Sequence, residues 1–80
     1  MTFPCTFPLK VMGHNSDAFA AAVRAILSGH LQDTHIDFEK RLSSNGKYLS
    51  ITATFTATSR EQLDAIYREL NAHELVVMTL

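Results

Sequence analysis

The sequence predicts a single α+β domain whose elements run βαββαβ. Two helical stripes and one long alternating strand carry that prediction. Phe19, Val23 and Ile26 recur at the spacing of one helix face, as do Leu63, Ile66, Tyr67 and Leu70. Leu49, Ile51, Ala53, Phe55 and Ala57 alternate with Ser50, Thr52, Thr54 and Thr56, the period-two pattern of a half-buried strand. Eighty residues make one small domain, bounded as 1–80, with residues 1–6 expected as a flexible N-terminal arm.

The first strand is expected at Leu9–Gly13, just past Pro4 and Pro8, with Leu9 and Val11 facing one way and Lys10 and Met12 the other. Gly13-His14-Asn15-Ser16 reads as a turn in which Asn15 or Ser16 caps the next helix, because either side chain accepts free amide hydrogens of a first turn. That helix adds Ala22 and His30 to its apolar face, and Gly29 is its expected stop. Ile36, Phe38 and Leu42 then alternate with Asp37, Glu39 and Arg41 in a second strand. Lys40 falls on the apolar parity, which predicts a bulge or an edge position where an inward lysine reaches water. Asn45-Gly46, within Ser43–Lys47, is a hairpin signal because both residues tolerate positive φ.

The long strand Tyr48–Ala57 follows, and then Thr58-x-x-Glu61 or Ser59-x-x-Gln62 forms a capping box for the second helix. Asp64 and Arg68 pair on that helix's outer side. Leu75–Leu80 closes the chain as a strand apolar on both parities. Two helices cannot cover both faces of so small a sheet, so both lie on one face. Right-handed crossovers then give a four-stranded antiparallel sheet in the order 4-1-3-2, a ferredoxin-like sandwich.

Composition narrows the function classes. Hydrophobic residues are 46% and the formal charge is −1, the balance of a folded chain rather than a disordered one. Neither half is strongly basic, so the electrostatic footprint of a nucleic-acid binder is missing. A domain of this size buries only about 60–65% of its unfolded surface, which leaves little room for an enclosed active site beside a core. A non-enzymatic module is expected. The single Cys5 excludes an internal disulfide and any Cys-x-x-Cys site, and fits a reducing compartment. No apolar run approaches the roughly 18 residues that span a membrane, and Met1–Pro8 lacks a basic leader pattern, so the cytoplasm is expected.

Residues able to carry chemistry are few. His14, His30, His35 and His73 stand at no metal-ligand spacing, so neither a metal nor a cofactor is expected. No nucleophile motif frames a serine, and no catalytic residue is assigned. The outward face of the third strand offers serine and threonine with only Tyr48 at its margin, so base stacking in the manner of an RNA-recognition sheet is excluded. Two surfaces remain. One is the polar open face, with Lys10, Thr52 and Thr54. The other is the closing strand, where Val77 marks an apolar edge that can template pairing with a second copy or a protein partner.

Phe3-Pro4-x-x-Phe7-x-x-Lys10-Val11-Met12-Gly13, Ser43-Ser44-x-Gly46-x-Tyr48-x-Ser50-x-Thr52 and the closing Val76-x-Met78-x-Leu80 resemble the YbeD-like family of short bacterial proteins. That family carries a domain-of-unknown-function label. The resemblance implies a ferredoxin-like fold similar to ACT-type regulatory domains, a bacterial cytosolic setting and no established catalysis. Its pattern also leads one to expect a basic residue near Val77, where this chain has valine. ACT domains bind small molecules at the turn after their first strand, against a neighbouring subunit. Carried to this chain, the similarity makes Gly13, His14, Asn15 and Ser16 the matching positions, and implies that Gly13 allows close backbone approach while Asn15 and Ser16 hydrogen-bond an amino-acid-like metabolite. The expected function is therefore a regulatory or small-ligand-binding module, with a protein-interaction adaptor as the alternative and a homodimer as one arrangement.

Overall fold

The computed structural model describes residues 2–80 and has the expected element order. Strand β1 spans Cys5–His14, helix α1 Asp17–His30, strand β2 Asp37–Leu42, strand β3 Tyr48–Ala57, helix α2 Arg60–Ala72 and strand β4 Val76–Thr79. All pairings are antiparallel and the sheet order is β2-β3-β1-β4, the expected 4-1-3-2 order viewed from the opposite edge. The inward parities of β1 and β3 (Leu9, Val11, Leu49, Ile51, Ala53, Phe55 and Ala57) meet Phe19, Val23 and Leu27 of α1 and Leu63, Ile66 and Leu70 of α2 in one core. No polar side chain is buried among the described residues.

β1 is longer than its sequence pattern suggested. It begins at Cys5, inside the segment expected as an arm, and its register with β3 is unbroken from Cys5↔Ala57 to His14↔Tyr48. Phe3, Cys5 and Phe7 pack against the core, and that alternating apolar face draws the segment into the sheet. Pro8 sits inside this strand without breaking it. Lys10 exchanges both backbone hydrogen bonds with Leu80, at 3.4 and 2.9 Å, so the even-numbered residues of β1 turn their amides away from β3. Pro8 shares that parity and lies past the end of β4, where a missing N–H costs no ladder bond.

Capping follows side-chain chemistry. Ser16 is the N-cap of α1 and accepts from the Phe19 amide at 3.1 Å. For α2 the second of the two possible boxes forms: Ser59 accepts from the Gln62 amide at 3.0 Å, and Gln62 accepts from the Thr58 amide at 2.9 Å. Gly29 does not stop α1. The helix continues to His30, with the Leu31 amide donating to the Leu27 carbonyl, because Leu27 and Leu31 are both buried and hold the last turn. Nor do Asp64 and Arg68 form a close pair. The described residues hold two such pairs, His30–Glu69 at 2.7 Å and His35–Asp37 at 2.8 Å, whereas exposed long side chains lose rotamer entropy when pinned.

The β2–β3 hairpin turns on Gly46 alone, at φ +73°, while Asn45 keeps an ordinary backbone. The Asn45 side chain instead accepts from the Lys47 amide and the Ser43 hydroxyl, at 3.0 and 2.9 Å. This is a four-residue turn, Ser43–Gly46, closed by Gly46 N–H to the Ser43 carbonyl, with its last residue left-handed. β2 is an edge strand, as Lys40 required, but it contains no bulge: Lys40 pairs with Ile51 in unbroken register. The edge position suffices, because a lysine stem can lie along apolar surface while its ammonium reaches solvent.

Candidate functional site

The turn expected at Gly13–Ser16 is shorter than that: Gly13 and His14 are still paired in β1, and only Asn15 and Ser16 bend the chain into α1 beside the β2–β3 hairpin. Gly13 is buried, and a Cβ built on it would stand 2.5 Å from both the Leu75 carbonyl oxygen and the Phe19 ring. The close approach this glycine permits is thus made by the chain's own core. His14 is exposed and stacks on Tyr48, with ring centroids 5.0 Å apart. Asn15 clasps the hairpin, its backbone N–H donating to the Lys47 carbonyl at 2.8 Å and its Nδ2 to the Gly46 carbonyl at 3.2 Å. Ser16 is committed to the helix cap.

Beside the clasp lies an open groove of about 430 Å³. Asn15, Ser16, Asp17 and Ala20 form its α1 wall, and Lys40, Leu42 and Leu49 form its sheet wall. Register places Lys40 there: it shares the helix-facing parity with Leu42, which pairs with Leu49. The groove therefore carries one cation, Lys40, and one anion, Asp17, which form no close ion pair with each other, above an apolar floor. Leu42 is 54% exposed within it. Such a lining can hold a small molecule bearing both charges and an apolar part. Of the four residues expected at this site, Asn15 and Ser16 line the groove, while Gly13 and His14 do not. The β2 and β3 residues are additions. The signal for them was present in Lys40, a charge on an apolar parity.

The residues expected on an interaction surface fall into two places. Lys10, Thr52 and Glu39 stand side by side across three strands, and Thr54 lies between Pro8 and Asp37 in a neighbouring row. Val77 is instead the extra residue of a bulge: β4 steps from Val76 opposite Gly13 to Met78 opposite Met12. It is 52% exposed, Met78 46% and Leu80 69%, so the β4 edge of the sheet is apolar and open.

Each histidine has a local partner. His30 joins α1 to Glu69 of α2, His35 contacts Asp37, and His73 Nδ1 accepts from the Leu75 amide at 3.1 Å. Among the described residues no three His, Cys, Asp or Glu side chains are grouped closely enough to hold a metal ion. Burial raises the Tyr67 hydroxyl above its ordinary pKa of 10.0, and that hydroxyl donates to the Leu80 carbonyl at 2.9 Å. No described helix is long and apolar enough to cross a membrane.

Comparison with solved structures sets this geometry among ACT-like folds. The chain is similar to protein HP0495 of Helicobacter pylori, at 19% identity and TM-score 0.80 over 100% of this chain and 85% of that one. It is similar too to the ACT domain from the GTP pyrophosphokinase of Chlorobium tepidum, at 12% identity and TM-score 0.71 over 94% of each chain. Among sequence relatives, a UPF0250 protein of Chromobacterium violaceum is 46% identical over 79 residues, 98% of this chain and 89% of that protein. The family described as "Protein of unknown function (DUF493)" matches residues 1–80, and the chain belongs to that family.

Proposed function

We propose that this protein is a non-enzymatic regulatory module that binds a small amino-acid-like metabolite in the groove between the β1–α1 turn and β2. The observation that carries the reading is the groove itself, where Lys40 and Asp17 offer the two charges complementary to a zwitterion over Ala20, Leu42 and Leu49. The ligand's carboxylate meets Lys40, its ammonium meets Asp17, and its side chain lies on the apolar floor. The ACT-like fold supports a regulatory role by analogy, although fold alone does not fix function. The bacterial cytoplasm, where Cys5 stays a thiol, is the proposed setting. Titrating an amino-acid panel into the 15N-labelled protein tests the reading. Saturable shifts at His14–Ser16 and Lys40 are expected for one ligand class, with about tenfold weaker binding in a folded Lys40→Ala variant, the loss typical of a charge-assisted contact. A panel that moves none of these amides overturns it.

The β4 edge favours a second reading, an interaction adaptor or homodimer. β2 carries four charges in six residues, which blunts strand addition, whereas Val76–Thr79 carries none. Val77→Lys should then abolish association, measured by sedimentation, and leave the circular dichroism spectrum unchanged. Association that survives this substitution would exclude the edge.

A further inference from the structure

At the opposite end of the β1–β3 ladder lies a second, smaller cavity of about 180 Å³. Three of its lining side chains are the aromatics Phe3, Phe7 and Tyr67, and all three are half-buried at the margin of the core. Phe7 and Tyr67 meet edge-to-face, at 86° with centroids 6.4 Å apart. The Tyr67 hydroxyl is tied to the Leu80 carbonyl, which anchors the tip of the side chain. Leu63 closes the floor, and Asp64 and Arg60 stand at the rim, both exposed and neither in a close ion pair.

From this arrangement we propose that the cavity binds a quaternary or trimethylated ammonium group. An aromatic face presents negative quadrupole charge to a cation that is too weakly hydrated to prefer bulk water. Asp64 supplies a full negative charge at the same mouth. An aliphatic lining of equal volume would favour any apolar group; three rings and a free carboxylate favour one that is both greasy and positive. Arg60 has the same sign as the ligand and opposes it, so the side chain must point to solvent when the cavity is filled. This site is independent of the groove at Lys40.

The test uses choline and its uncharged carbon isostere, 3,3-dimethyl-1-butanol, titrated separately into the wild-type protein and followed by ring and methyl NMR of Phe3, Phe7, Tyr67 and Leu63. Choline is expected to shift these signals saturably and about two- to fivefold more tightly than the isostere, the difference one exposed cation–π contact makes. Asp64→Asn, a surface change that leaves the fold intact, should weaken choline binding, and Arg60→Gln should tighten it. Equal binding of the two probes would show a merely apolar cavity and overturn the proposal, as would the absence of saturable shifts with choline.

Discussion

Three glycines show how differently one residue type can be used. Gly13 is required by space: the Cβ of alanine would meet a backbone oxygen and a ring held in the core, neither of which can yield cheaply. Gly13→Ala should destabilise the fold by about 1–3 kcal/mol, the usual scale of overpacking, seen as a lower denaturant midpoint. Gly46 is required by its left-handed backbone, although space around it is open. Gly29 is required by neither, since it stands exposed inside α1 with nothing near its absent Cβ. Gly29→Ala should therefore stabilise by about 0.5–1 kcal/mol through helix propensity alone. Tyr67 supplies the pH signature at this scale. Its folded pKa is raised by burial, so the stabilisation it carries is present below pH 10 and is lost as pH rises through the folded value. In a Tyr48→Phe variant, phenolate absorbance reads Tyr67 alone, and its midpoint should fall above 10.0.

Element by element, what the sequence revealed depended on whether an element's pattern is local. Helix stripes, caps and the long β3 alternation are local, and they appeared where their periods placed them. Ser59 illustrates the point: its capping role is set by neighbours three residues away, and Ser59→Ala should lower thermal stability by about 1 kcal/mol. β1 was harder to bound, because two prolines interrupt its signal and only the position of β4 explains why Pro8 is tolerated. The candidate groove was half legible. Its turn announced itself through Gly13–Ser16, but its other wall comes from strands that only sheet register brings alongside. The aromatic cavity was less legible still, since Phe3 lay in a segment that looked like an arm and Tyr67 counted as one more core residue of α2.

Across the whole molecule, the two candidate sites occupy opposite ends of one ladder, each beside the first turn of a helix. The groove adjoins α1 where His14 faces Tyr48, and the aromatic cavity adjoins α2 where Cys5 faces Ala57. Ten paired residues separate them, about 30 Å of strand at the usual rise. The placement of Pro8 has a consequence for isotope exchange along this ladder. Odd-numbered amides of β1 are locked to β3, whereas Thr6 points its N–H toward open solvent beyond β4. Deuterium should therefore enter at Thr6 within the dead time, while Phe7, Leu9 and Val11 retain their protons until the domain opens globally. Uniform protection from Thr6 to Val11 would mean that something else, a neighbouring chain included, covers that stretch of backbone in solution.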